Sequence, residues 1–206
     1  MVNSTISFSQ SGVGQFMGTG GFMNPDSIVL EFGLREGMMI ADFGSGAGYF
    51  TILMAKIVGQ TGKVTGLDIM ETALDSVRVK AKAAGLENIE TVRANLEVLG
   101  SSGLAGESQD AVLLANILFQ SPKKEAILKE AARVLKKDGT LIIIDWKKGA
   151  GGLGEGSRAQ PGISVGPPDE LRTEQEQMQN MAVAEGMTWQ SNIDAGSFHY
   201  GIIFKK

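Results

Sequence analysis

The 206-residue sequence predicts an α/β domain, doubly wound around a mainly parallel sheet. Three observations carry this expectation. Short apolar runs alternate with amphipathic runs of helical length, the pattern of consecutive βαβ units. One apolar run, Met38-Met39-Ile40, leads through Asp42 into Gly44-Ser45-Gly46-Ala47-Gly48 and directly into a helix-like segment, the first β-α unit of a nucleotide-binding sheet. Residues 141–144 are continuously apolar, as a strand covered on both faces requires.

Taken in order, the strands are expected at residues 38–43, 63–68, 89–93, 111–115 and 140–146. Helices are expected at 49–58, 71–84, 122–135 and 169–185. The first helix follows the glycine turn at once. Its N–H groups and positive dipole end are therefore expected to face an anionic ligand group. The third has a start signal, with Ser121 as cap and Pro122 at the first helical position. Its Ile127, Ala131 and Val134 share a face, and Lys136-Lys137 fall at its negative end. Gly85 and Gly186 are expected helix stops. Residues 188–193 and 198–205 read as an antiparallel hairpin around Asp194-Ala195-Gly196.

Two segments escape the alternation. Residues 1–21 are rich in Ser and Gly and are expected to form a flexible N-terminal segment ahead of one domain, 22–206. Residues 147–168 hold seven Gly and three Pro, so they read as a loop or a lid. That loop leaves the carboxyl end of a strand, where open α/β sheets bind ligands. Phe16, Met17, Phe22 and Met23 supply apolar side chains that could cover a cofactor.

Composition narrows the chemistry. The chain has no Cys, which excludes disulfides, thiolate metal sites and a Cys nucleophile. A single His excludes a histidine-rich metal site, and no metal is expected. A net charge of −4 and pI near 5.1 argue against a broad nucleic-acid surface, although Lys147, Lys148, Arg158, Lys205 and Lys206 could form a local basic patch. There is no long apolar run of membrane-spanning length and no secretory signal pattern, so a cytoplasmic location is expected.

Spacing identifies the glycine turn. A dinucleotide fingerprint, G-x-G-x-x-G, would need Gly or Ala where Tyr49 stands. The glycines read G-x-G-x-G instead, with Asp42 two residues ahead of Gly44. Asp68 ends the second expected strand, 20 residues after Gly48, where a carboxylate can accept from both hydroxyls of a ribose. Asn95 and Leu96 follow the third strand, and Asn116 follows the fourth.

At these residues the chain resembles the class I S-adenosylmethionine (SAM)-dependent methyltransferases, Rossmann-like proteins with a seven-stranded sheet and a C-terminal antiparallel hairpin. The resemblance implies SAM as cofactor and S-adenosylhomocysteine as product. It places Asp42 toward the SAM ammonium, directly or through water. Gly44, Ser45, Gly46 and Gly48 would lie against the ligand, Asp68 on the ribose, and Ile69 and Met70 on the adenine. Asn95 stands where relatives often carry an Asp that contacts the adenine amino group. Asn116 falls beside the SAM sulfur and the substrate, although a turn role fits it equally. Downstream, residues 130–139 and 141–146 resemble small-molecule methyltransferases related to quinone-biosynthesis C-methyltransferases, of the type 11 kind. Lys137 and Asp138 depart from the usual Pro-Gly of that region. Asp145 and Trp146 either face the pocket or end a buried strand.

The expected function is methyl transfer from SAM to a small molecule. Alternatives are a protein or RNA methyltransferase, a SAM-binding module without catalysis, and an NAD-dependent oxidoreductase, which Tyr49 opposes. The absence of Cys opposes an arsenic methyltransferase, whose chemistry uses thiols. His199 reads as a packed or edge histidine rather than a catalytic base. The acceptor, the atom methylated, any catalytic base and the oligomeric state stay open.

Overall fold

A computed structural model describes residues 23–150 and 166–206. The expectations for residues 1–21, and for the loop or lid between 151 and 165, lie outside the described residues. A short helix, α1 (Pro25–Ile28), and a 3-10 turn (Val29–Phe32) precede the sheet. Then follow β1 (Met39–Phe43), α2 (Tyr49–Val58), β2 (Lys63–Asp68), α3 (Glu71–Ala83), β3 (Ile89–Arg93) and β4 (Gln109–Ala115). The second half holds α4 (Lys124–Val134), β5 (Leu135–Trp146), α5 (Gln175–Ala184), β6 (Thr188–Ile193) and β7 (His199–Lys205).

One seven-stranded sheet runs in the order β3-β2-β1-β4-β5-β7-β6. The first five strands are parallel, and β7 pairs antiparallel with both β5 and β6. This is the expected doubly wound sheet with its terminal hairpin. Alternation along each strand divides the core between two faces. Phe43, Leu141, Ile143, Ile202 and Phe204 pack with α4 and α5. Ile40, Ile142 and Ile144 pack with α2 and the segment ahead of β1. Strand order reverses between β1 and β4, and a crevice opens there at the carboxyl ends of the strands.

Three expected boundaries shift, each because a side chain is spent on a tertiary bond. α4 starts at Lys124, two residues late, and has no side-chain cap. The Ser121 hydroxyl donates to Glu97 at 2.7 Å and accepts the Lys123 N–H at 2.9 Å, so it closes a turn instead of capping a helix. The expected helix at 169–185 is two pieces, a 3-10 turn (Asp169–Leu171) and α5. Between them Arg172 turns inward, 5% exposed, and donates to the carbonyls of Pro167, Lys147 and Ala150. β5 starts at Leu135 instead of residue 140, so Lys136 and Lys137, still at the end of α4, already lie in the strand, and Lys136 pairs with Asp110 at 2.7 Å. Asp138 tolerates the place of a glycine at φ 62°, its N–H and C=O both bonded to the C-terminal strand. Gly85 and Gly186 do end α3 and α5, at φ 65° and 85°.

The crossover between β3 and β4 lacks regular structure and is held by Glu130 of α4. Burial would raise this carboxyl, but bonds from Arg133, Ser102 and the Gly100 N–H outweigh it and hold the group down at about 2. Arg133 also reaches the Leu104 carbonyl at 2.8 Å. Glu130→Ala strands a partly buried guanidinium and two crossover donors. It should lower stability by about 3 kcal/mol, read as a drop in the urea midpoint without a change in slope.

Candidate active site

β1 delivers Gly44, Ser45 and Gly46 to the crevice, and the loop is strapped onto the end of β2. The Leu67 carbonyl accepts the Gly44 and Ser45 N–H groups at 2.7 and 2.9 Å. Asp68 Oδ2 accepts the Gly46 N–H at 2.9 Å, and Asp68 Oδ1 the Met70 N–H at 2.9 Å. The Gly48 N–H goes to the Ser45 carbonyl. On the outer side Lys80 donates to the Ala47 carbonyl at 2.6 Å and lies over the Tyr49 ring. Gly44 has no room for a side chain: at φ 75°, a Cβ would run into Ile117 of the loop after β4. Gly48, at φ 81°, abuts Val77 of α3.

Four loop donors, the N–H groups of Gly44, Ser45, Gly46 and Gly48, are thus used internally, which narrows the expected anion-facing donors to the first turn of α2. The Asp42 carboxyl, 2% exposed, accepts the Thr51 hydroxyl at 2.5 Å and also the Thr51 N–H, in the first turn of α2. Asp42 shares the Ile40 side of the sheet, so it sits behind the loop. Burial pushes it up to about 7; the Thr51 bond opposes this and the Asp68 charge adds to it.

The crevice is a cleft of about 710 Å³. It brings together Gly44, Ser45, Gly46, Asp68, Ile69, Met70, Asn95, Leu96 and Asn116 of the expected site. Asp42 and Gly48 do not line it. Ile69 and Met70 are 56% and 60% exposed and stand side by side on the cleft wall. Asn95 Oδ1 accepts the Glu97 N–H at 3.1 Å, which leaves its Nδ2 as the donor toward the cleft. Asn116 is a turn residue at φ 56°, its N–H bonded to Ile144, and it also faces the cleft. Its buried Oδ1 and the Ser45 hydroxyl have no partner among the described residues.

The β4 and β5 side adds residues the sequence did not single out. Phe119, Gln120 and Ser121 come from the 3-10 turn after β4, and Phe50 from the first turn of α2. Met23 and Trp146, which the sequence did offer as pocket residues, line the cleft, and Asp145 stands just behind. The signal available was an aromatic residue shortly after each of two apolar strands. His199 is buried against Trp146, and its burial, with Lys147 and Arg172 near, drives it down to about 4. It does not line the cleft. Tyr200 is likewise buried, with its hydroxyl pushed above its ordinary range by burial and by the Asp145 and Glu174 charges.

Comparison with known proteins agrees with this arrangement. A family model described as a methyltransferase domain matches residues 34–199. The chain belongs to this methyltransferase family. The chain is 33% identical over 117 residues to the ubiquinone/menaquinone biosynthesis C-methyltransferase of Escherichia fergusonii, covering 56% of this chain and 45% of that one. It is 33% identical over 116 residues to human arsenite methyltransferase, covering 53% and 31%. It spans half the length or less of these curated relatives. Its fold matches a SAM-dependent methyltransferase from Aquifex aeolicus with a TM-score of 0.75, at 26% identity over 89% of this chain and 90% of that one. The cofactor of the family is S-adenosylmethionine, and the residues present fit it. The cleft offers a carboxylate, orphaned acceptors and exposed apolar side chains, while the glycine-loop donors a pyrophosphate would need are already taken. Among the described residues no cluster of metal-ligating side chains occurs, and no helix is long and apolar enough to cross a membrane.

Asp42 carries a stability prediction with a definite sign. The folded state raises its carboxyl from 3.8 to about 7, so the fold binds a proton that the unfolded chain releases. Ionised Asp42 therefore costs nothing below about pH 4, and its cost grows with pH until about 7. Asp42→Asn keeps an acceptor for Thr51 and should stabilise the protein at alkaline pH by on the order of 3 kcal/mol. The gain should fade to nothing toward pH 4 in urea unfolding measured across that range.

Proposed function

We propose that this protein transfers a methyl group from S-adenosylmethionine to a small organic molecule. The observation that carries the reading is the division of the cleft at the sheet reversal. On the β1–β3 side stand a glycine loop, a ribose-type carboxylate and exposed apolar side chains. On the β4–β5 side stand Phe119, Trp146, Asn116 and Gln120. A cleft of about 710 Å³ has the size of a small-molecule site.

In this reading Asp68 holds the ribose. Its two oxygens are fixed by the Gly46 and Met70 N–H groups, and each keeps a lone pair for a ligand hydroxyl. Ile69 and Met70 cover the adenine, and the Asn95 amide donates to it. Leu96, 5% exposed, closes the adenine end. Gly44, Ser45 and Gly46 let the backbone approach the amino-acid end, and Asp42 acts on its ammonium through the loop or a water. When bound, the cofactor supplies a methyl carbon already activated by a sulfonium. The chain's own task is then to align the acceptor and exclude water, which positioning alone serves well. No side-chain base is assigned.

The curated relatives act on quinones or arsenite by name, and the chain lacks the Cys residues that thiol-based arsenic chemistry uses. An RNA acceptor is opposed by a net charge of −4. The test is incubation with tritiated-methyl SAM and a metabolite extract, precipitated protein, or RNA. Label is expected in the metabolite fraction. Label confined to protein or RNA would replace the acceptor class, and SAM binding without any transfer would leave a binding module.

Asp68→Ala removes the ribose acceptor and also unties Gly46 and Met70. SAM affinity should fall by about 1.5–3 kcal/mol with the thermal unfolding transition retained, as measured by calorimetry. Unchanged affinity would place the ribose elsewhere.

A further inference from the structure

β5 ends in two residues that face opposite ways. Asp145 shares the side of Leu141 and Ile143, while Trp146 shares that of Ile142 and Ile144. Asp145 is 1% exposed and does not line the cleft. Its oxygens nevertheless divide between two residues. Oδ2 accepts the Phe119 N–H at 3.1 Å, and Oδ1 accepts the Trp146 N–H at 2.8 Å. Phe119 and Trp146 do line the cleft, on the β4–β5 side. One buried carboxylate thus joins the backbones of two aromatic residues that the sequence places 27 apart.

A lone buried carboxylate is expensive, and an apolar side chain would fill the same space at lower cost. What the apolar side chain could not do is accept two N–H groups at once. Trp146 is fixed from other directions as well. A Cβ on Gly166 would overlap the indole, and the His199 ring lies 4.1 Å from it, centroid to centroid. The indole is therefore wedged, and its main-chain donor is tied to the turn that carries Phe119.

We propose that Asp145 is a positioning residue that sets the spacing of Phe119 and Trp146, so that these two side chains form the walls of a slot for a flat aromatic acceptor. The proposal rests on the acceptor-side reading above and gives that acceptor a shape. The carboxyl is raised to about 6 by burial, against the two N–H bonds and the Lys124 charge, which lower it. Lys124 faces it from α4 and Tyr200 from β7, where Asp145 and Tyr200 are register partners; Glu174 lies near Tyr200 ahead of α5, and His199 and Arg172 stand by Trp146. Protonation neutralises the carboxyl and makes one oxygen a hydroxyl, a weaker acceptor, so the N–H bond to that oxygen weakens.

The experiment follows the Phe119 and Trp146 amide resonances of the full chain, loaded with S-adenosylhomocysteine, from about pH 8 down to about pH 5. Both are expected to shift together with one midpoint near 6, and in Asp145→Asn neither should titrate. In parallel, the fluorescent neutral probe α-naphthol is titrated into the loaded protein. Its affinity should fall about fivefold or more in Asp145→Asn, the scale of one lost hydrogen bond, while S-adenosylhomocysteine affinity changes less than about twofold. In the wild type, naphthol binding should weaken on the same midpoint. A merely structural Asp145 would move protein stability and both affinities together in Asp145→Asn, and naphthol binding would not follow the amide midpoint. Independent or absent titration of the two amides overturns the bridge. Naphthol that fails to bind the wild type, or binds Asp145→Asn equally well, overturns the aromatic slot. Failure of S-adenosylhomocysteine to bind the wild type would strike the proposed function instead, and the amide titration, repeated without it, would still judge the bridge.

Discussion

The Asp42 carboxyl sits at the end of β1, under the glycine loop, and accepts both the hydroxyl and the N–H of Thr51 in the first turn of α2. Everything on the cofactor side follows from that placement. The helix end has its acceptor before any ligand arrives. The loop donors turn to the Leu67 carbonyl and to Asp68, which pins the loop to β2. A dinucleotide site works the other way, leaving its helix terminus and glycine N–H groups for a pyrophosphate. Here four glycine-loop donors are already bonded, and two carboxyl groups, Asp42 and Asp68, stand nearby.

Sheet order then assigns the two halves of the cleft. Loops from β1, β2 and β3 fall on one side of the reversal, and loops from β4 and β5 on the other. Gly44 is where the halves meet, because only a residue without Cβ lets the Ile117 side chain of the β4 loop close over the β1 loop. The left-handed turn at Asn116 serves that closure. It keeps its N–H in the β5 ladder while its chain bends away to carry Phe119 and Gln120 along the wall.

Much of this was legible in the sequence. A strand buried on both faces reads as an unbroken apolar run, so 141–144 is plain within β5, while 63–68 and 89–93 emerge at their full extent from the alternation of short strand-like and helix-like runs. G-x-G-x-G with an acid ahead and Asp68 behind marks the site, because backbone turns and carboxylates at strand ends are local properties. The side of the loop on which Asp42 would sit was not legible. A strand-end residue can face the ligand or the helix behind it, and the Thr51 bond decides between them. The start of α4 and the break ahead of α5 were hidden for a similar reason. Ser121 and Arg172 carry good local signals, but Glu97 and the carbonyls of Pro167, Lys147 and Ala150 compete for them across the fold. Trp146 was legible as a strand end that could face the pocket, but what wedges it there was not, since its neighbours Gly166 and His199 lie far along the chain.

The two sides of the cleft meet their polar groups in opposite ways, and the difference has a physical consequence. On the cofactor side Asp68, Ile69 and Met70 are presented outward, so apolar area stays in water until a ligand covers it, at a cost of about 25 cal/mol per Å². That exposed area is a reserve of binding energy for the ligand that covers it. On the acceptor side Asp145, His199 and Tyr200 are withdrawn behind Phe119 and Trp146, and the buried groups organise the wall without touching what binds against it. Binding energy is therefore concentrated where the constant partner sits, and rigidity where the variable partner sits. The proposed methyl transfer needs that distribution. The donor must be held tightly enough to fix the reactive carbon, while the acceptor must be aligned to it and still leave after each turnover.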